Sequence, residues 1–203
     1  MDITLLAVVV VEVTLQTLTQ WEAAAVAVDK ATLAAKQEHA QTKKDKMELI
    51  IQKTVELGVY EIVPVQMKRS VVKYTDEKKL RKKQERWQMI AEAAAKQCDR
   101  GIIPVVHETV SMDEAIDMAR KLDYNMIPYE LQDGIDKSRE IVTYACEQNS
   151  VGIFIGPEGG FEPSEVEQAI ACGIEPMTLG KRILRTETAG MALLSILMFQ
   201  MQR

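Results

Sequence analysis

Apolar residues recur along the chain with two periods. Met47, Ile50, Ile51 and Val55 stand three and four apart and Gly58 follows as a stop, so the spacing predicts an amphipathic helix over Lys46–Leu57. Val59 to Val65 then alternates as a strand does, and helix followed by strand begins an α/β series. A long helix opening near Lys78 carries Leu80, Trp87, Ile90, Ala91 and Ala94 on one side and ends at Cys98. Pro104–Val106 reads as a short strand. Ser111–Leu122 reads as a helix with Met112, Ala115, Ile116 and Ala119 inward and Ser111 placed to cap over Glu114. Asn125–Glu130 is a strand and Ile135–Asn149 a weakly patterned helix.

The last fifty residues use one grammar twice. Val151–Ile155 is a short apolar run suited to a buried strand, and it stops at Gly156-Pro157, where proline cannot continue a ladder. Gly159 and Gly160 then allow a sharp turn that leaves backbone amides bare for a ligand. Pro163 opens a helix carrying Val166, Ala169 and Ile170, closed by Gly173. Ile174–Leu179 is the second strand, Gly180 its pivot, and an apolar helix starts near Thr186 or Thr188. Two strand ends, each followed by a glycine turn and a helix, place both turns at the carboxyl edge of a parallel sheet, where open α/β folds bind ligands. Glu158, Arg182, Arg185 and Glu187 flank those turns. The final helix is apolar nearly all round, which predicts burial on more than one side, in the core or against a second subunit.

Residues 1–42 read differently. Ile3–Leu18 has strand composition and Trp21–Ala40 is alanine-rich enough for helix. The first glycine is Gly58 and the first proline Pro64, so a compact barrel of hairpins would lack its turn residues there.

Composition narrows the class. At 203 residues, 47% apolar and 27% charged, the chain has the make-up of an ordinary globular protein with a real core. No run approaches the roughly 20 apolar residues of a membrane span, and the N-terminus lacks a signal peptide's basic flank, which predicts a cytoplasmic protein with no membrane partner. Cys98, Cys146 and Cys172 are odd in number and far apart, as reduced thiols are, and with His39 and His107 they show no metal-ligand spacing, so no metal site is expected.

The net charge of -5 conceals blocks. Residues 1–42 hold 2 basic and 5 acidic side chains, 43–100 hold 15 and 9, and 101–203 hold 8 and 16. The middle third is therefore basic. Within it Lys78, Lys79, Arg81, Lys82, Lys83 and Arg86 fall in nine residues. Such a run is either a solvated helix face or a phosphate-binding one. Neither the Walker spacing nor the dinucleotide fingerprint is present, which argues against a nucleotide-binding enzyme.

Several segments in one order carry a resemblance: Asp45–Lys53, Arg69–Val72, Arg86-Trp87 with Ile90-Ala91 and Ala94–Cys98, Ile155–Gly160, and Leu179–Ala189. They resemble the small-subunit (16S) ribosomal RNA uridine N3-methyltransferases of the SPOUT superfamily, which use S-adenosylmethionine. The likeness spans residues 43–203. It implies an α/β fold, a SPOUT-type sheet with helices on both faces and a C-terminal deep trefoil knot, an exception to the rarity of knots. It also implies a homodimer through the C-terminal helix and knot, acting on ribosomal RNA or the small ribosomal subunit. Carried over by position, Ile155, Gly156, Glu158, Gly159, Gly160, Leu179, Gly180, Arg182, Ile183 and Leu184 would form the donor pocket. Arg185 would stabilise charge on the uracil oxygens, and Glu187 would be the base or else the partner that holds Arg185. A carboxylate beside an arginine is the poorer base, which favours the second role. Arg69 and the Lys78–Arg86 cations would meet RNA phosphates, positioning rather than specifying. Residues 1–42 depart from the PUA-like barrel that such enzymes carry; they read as a shortened or altered remnant, with room for the first strand of the catalytic sheet. The rival reading is a non-catalytic RNA-binding protein that uses only the basic helix.

Overall fold

The computed structural model describes residues 6–12, 46–67, 77–132 and 134–201. The predicted helix over Trp21–Ala40 and the candidate Arg69 lie outside them. In chain order the elements are β1 (Leu6–Glu12), α1 (Lys46–Glu56), β2 (Glu61–Gln66), α2 (Glu77–Gln97), β3 (Val105–Val106), β4 (Val110–Ser111), α3 (Met112–Ala119), β5 (Tyr124–Pro128), α4 (Ile135–Ala145), β6 (Ser150–Ile155), α5 (Pro163–Ala171), β7 (Glu175–Met177) and α6 (Thr186–Met201). The result is a mixed α/β fold.

The described strands form one sheet in the order β3-β2-β1-β6-β5-β7, with β4 also on β2. β1 pairs antiparallel with both β2 and β6, Val9 lying opposite Ile62 on one side and Ile153 on the other. The remaining pairs, β2 with β3 and β4, and β5 with β6 and β7, are parallel. Every described strand except β1 therefore runs the same way, and the strands that precede the two glycine turns are parallel as expected. Apolar runs such as Ile153-Phe154-Ile155 suit strands covered on both faces, and all three of these side chains are buried.

Proline shapes two edges. Pro64 sits inside β2 without an N–H to give. On that side the neighbouring chain pairs only with Glu61-Ile62 through β3 and with Val65-Gln66 through β4, and the ladder breaks between them. Pro176 lies in β7, an edge strand, where a missing donor is tolerated. The two-residue β4 is the one described strand that hydrophobic period does not reveal.

Helix ends follow their sequence signals. Ser111 caps α3 with a complete capping box: its hydroxyl accepts from the Glu114 amide, and the Glu114 carboxylate accepts from the Ser111 amide. Gly58 adopts φ 98° where α1 stops. The guanidinium of Arg100 donates to the carbonyls of Val55 at 2.8 Å and Val59 at 2.7 Å, bracing the turn in which the Val55 carbonyl also accepts the Gly58 amide at 3.1 Å. Burial there pulls the Arg100 pKa below the ordinary arginine value. The helix α6 is only partly covered. Leu193, Leu194 and Leu197 are buried, while Phe199 is 83% exposed.

Candidate functional site

Strands β6, β5 and β7 are adjacent and parallel, so their carboxyl ends open on one edge of the sheet. From β5 the chain passes to β6 on one side and then crosses to β7 on the other. That reversal leaves a crevice outside the strand ends, the place where open α/β sheets take their ligands. A cleft of about 650 Å³ occupies it. This lies within the roughly 300–1,000 Å³ typical of sites for small molecules and cofactors.

The first wall follows β6. The backbone amide of Gly160 donates to the carbonyl of Pro157 at 2.9 Å, closing a four-residue turn with Glu158 and Gly159 at its apex. Gly160 has φ 69°, an angle that favours glycine. Ile155, Gly156, Pro157, Gly160 and Phe161 line the cleft. The buried Phe161 ring lies against Gly156, where an added Cβ would stand 2.9 Å from it. Glu158 and Gly159, both expected in the pocket, are not among its lining residues. The Glu158 carboxylate is instead ion-paired with Lys46 at the start of α1.

The second wall follows β7. The hydroxyl of Thr178 accepts from the Gly180 amide at 3.2 Å, and Gly180 takes φ 108° with open space where a side chain would be. Leu179, Gly180, Lys181, Arg182, Ile183 and Leu184 all line the cleft, as do Thr186 and Ala189 from the first turn of α6. Ile183 is 81% exposed, an apolar surface suited to a ligand's flat face. The strand itself is shorter than predicted, because Thr178 and Leu179 already belong to this loop.

The third wall was not foreseen. Pro128, Tyr129, Glu130, Gln132, Gly134 and Ile135, between β5 and α4, complete the cleft. Gly134 has φ 97°. The signal was present in sequence as a third strand, glycine and helix in succession. This wall is pinned to the second one: the buried Ser138 hydroxyl on α4 accepts from the Thr178 amide at 2.9 Å and donates to the Gly134 carbonyl at 3.2 Å.

Arg185 and Glu187 bracket the lining residue Thr186 without lining the cleft themselves. Arg185 is exposed, and its carbonyl accepts the Ala189 amide at 2.8 Å, the first turn of α6. Oε2 of Glu187 is buried with no hydrogen-bond partner among the described residues. No ion pair joins it to Arg185.

The basic run lies elsewhere, on the first half of α2. Arg86 pairs with Glu48 of α1 at 2.7 Å, Arg81 with Glu85 at 3.4 Å, and the Lys83 ammonium sits 6.0 Å from the centre of the Trp87 ring. Lys78, Lys79, Arg81 and Lys82 are exposed. Among the described residues no group of three or more His, Cys, Asp or Glu side chains could hold a metal ion, and no helix is long and apolar enough to cross a membrane.

The sequence model of the RNA methyltransferase domain matches residues 29–198. The chain is 40% identical over 166 residues to the ribosomal RNA small subunit methyltransferase E of Bacillus subtilis, covering 78% of this chain and 62% of that relative. Among solved structures it is similar to a putative methyltransferase of Legionella pneumophila in complex with the bound cofactor SAM, with a TM-score of 0.69, 35% identity, and 76% and 61% of the two chains covered. It is also similar to a ribosomal RNA small subunit methyltransferase E of Neisseria gonorrhoeae bound to S-adenosyl methionine, with a TM-score of 0.63, 34% identity, and 74% and 59% covered. The chain thus spans about three fifths of the length of these proteins.

Proposed function

Because the chain belongs to the RNA methyltransferase family, we propose that it methylates N3 of a uridine in 16S ribosomal RNA, with S-adenosylmethionine as the donor. The observation that carries this reading is the convergence of three parallel strand ends on one cleft with apolar walls, exposed glycine backbone and cations without partners. Ile155, Leu179, Ile183 and Leu184 supply the apolar walls for adenine, and the loop backbone at Gly180, open to the cleft, supplies its hydrogen bonds. Arg182 meets the donor's carboxylate. When bound, the donor supplies a methyl group made electrophilic by its sulfonium.

Uracil N3 carries a proton and a delocalised lone pair, so the ring must lose that proton as the methyl arrives in line. Arg185, exposed beside the cleft and with no side-chain hydrogen bond or ion pair to any described residue, offers a planar fork to the uracil oxygens as negative charge grows there. Glu187 accepts the N3 proton. The absence of an Arg185 ion pair and the bare Oε2 favour that role over a fixed bond to Arg185.

The remainder of the assembly follows from the same reading. Residues 43–203 form the SPOUT catalytic domain, with the two glycine loops as the ligand-facing walls of a C-terminal trefoil knot, and 1–42 are an atypical N-terminal segment that adds β1 to the same sheet. The face of α6 bearing Phe199 joins a second copy, RNA phosphates lie along α2 and Arg69, and the enzyme works in the cytoplasm.

Calorimetry with S-adenosylmethionine, followed by transfer of labelled methyl to small-subunit RNA and mass mapping of the product nucleoside, tests this. Micromolar donor binding with N3-methyluridine as product is expected. A folded protein that binds no donor would overturn the reading, and a methyl group at another atom would overturn the choice of N3.

A further inference from the structure

Among the described residues that line the cleft, one carries a carboxylate, Glu130. The loop between β5 and α4 presents it from the wall that sequence did not reveal. Its Oε1 lies 3.4 Å from the point where a Cβ on Gly160 would stand, so the carboxylate leans over the bare backbone of the first glycine turn. A side chain at position 160 would crowd it. No hydrogen bond or ion pair engages this carboxylate among the described residues. Lys181 and Arg182, both exposed, face the same cleft from the loop after β7. The acid expected in the donor pocket, Glu158, is at the apex of its turn and is held by Lys46.

We infer that Glu130 receives the ammonium group of the donor's amino-acid portion, with Arg182 receiving its carboxylate. This rests on the donor-pocket reading of the cleft and names the group that orients the donor within it. A zwitterion placed between walls of opposite charge is fixed in direction, which a pocket of apolar and backbone contacts alone does not achieve.

Charge chemistry selects the ammonium over the donor's other polar groups. The sulfonium loses its charge as the methyl leaves, so a carboxylate aimed at it would stabilise the reactant more than the transition state and slow the transfer. The ammonium keeps its charge throughout, and its pairing adds binding without that penalty. The ribose hydroxyls are neutral and can be met by neutral groups such as Thr178 and Thr186, which line the same cleft. Among the described lining residues, Glu130 alone offers a carboxylate to a cation.

The test is calorimetry of the full chain and its Glu130→Gln variant with three probes: S-adenosylmethionine, S-adenosylhomocysteine, and 5′-methylthioadenosine, which keeps the adenine and ribose but lacks the amino-acid portion. Loss of a charge-assisted bond predicts that the first two weaken together by roughly 10–100-fold while the third is unchanged. Retained binding of 5′-methylthioadenosine also shows the variant to be folded, and Glu130→Asp should recover part of the loss. Equal weakening of all three in a folded variant would move Glu130 to the ribose. Weakening confined to S-adenosylmethionine would move it to the sulfonium. No weakening would remove it from binding. Each of these overturns the inference while leaving the donor pocket standing, whereas a wild-type protein that binds none of the probes removes the pocket reading itself.

Discussion

The cleft and the basic helix are both rich in charge, yet their charged groups are treated in opposite ways. Along α2, Arg86 is tied to Glu48 and Arg81 to Glu85, and Lys78, Lys79 and Lys83 are engaged as well. At the cleft, the charged groups of Glu130, Lys181, Arg182 and Arg185 make no hydrogen bond or ion pair with any described residue. Surface pairs of the α2 kind are worth only about 0–1 kcal/mol each, so they can yield to phosphates at little cost. Groups kept without partners on loops held by glycine turns and by Ser138 contribute nothing to folding and gain only when something binds. The difference teaches that charge density points to a surface, whereas unsatisfied charge beside rigid backbone points to a site.

The sharpest way to break that contrast is Arg185→Ala. If the guanidinium acts only on charge that develops during transfer, kcat should fall roughly 100–1,000-fold, about 3–4 kcal/mol in barrier, with no change in donor affinity or melting temperature. Single-turnover methyl transfer and calorimetry separate these quantities. A variant with wild-type kcat would remove Arg185 from the chemistry.

Arg100→Ala probes the opposite case, a cation of the basic third that serves folding. It leaves the carbonyls of Val55 and Val59 without a charged donor, which should cost about 2–3 kcal/mol and lower Tm by roughly 4–10 °C, with donor binding intact in the folded protein. A thermal melt monitored by circular dichroism suffices. An unchanged Tm would show that the end of α1 is satisfied without it.

Gly156→Ala tests how rigid the first wall is. The new Cβ would stand 2.9 Å from the Phe161 ring, which must shift within a packed site, so roughly 1–3 kcal/mol of stability should be lost by urea titration. Donor affinity should fall with it, because Gly156 and Phe161 both line the cleft. Loss of stability without loss of affinity would place the donor away from this wall.

Much of this contrast was legible in sequence, in a patchy way. The buried faces of α1 and α3 and the Ser111–Glu114 capping box follow from spacing, because helical period and capping are local. The turns at Gly160 and Gly180 are likewise local. The third wall is harder to read, because a single Gly134 between strand and helix is a weaker mark than a Gly-Gly pair, although it takes a similar left-handed angle. That Glu158 turns toward Lys46 while Glu130 leans over Gly160 depends on contacts between residues far apart in the chain. The antiparallel run of β1 is equally hidden, since alternation and β-branching mark a strand but not its direction.

Arg86→Ala should have the smallest effect and completes the contrast. Arg86 is half exposed and grips Glu48 with two bonds, at 2.7 and 2.9 Å, so stability should change by about 1 kcal/mol, the upper end for a surface pair. If α2 lies along RNA, each phosphate contact adds close to one to the magnitude of the slope of log affinity against log salt. Losing one such cation should therefore reduce that slope by about 1 and weaken binding of every RNA sequence alike. The Glu48→Gln variant sharpens the point, because it weakens the pair between Arg86 and position 48 without removing the arginine's charge. Filter binding at several salt concentrations should show Glu48→Gln holding RNA as tightly as the wild type or more so, and Arg86→Ala less tightly. If both variants bind as the wild type does, the pair at α1 and α2 serves only to join two helices, and the RNA path lies off this face.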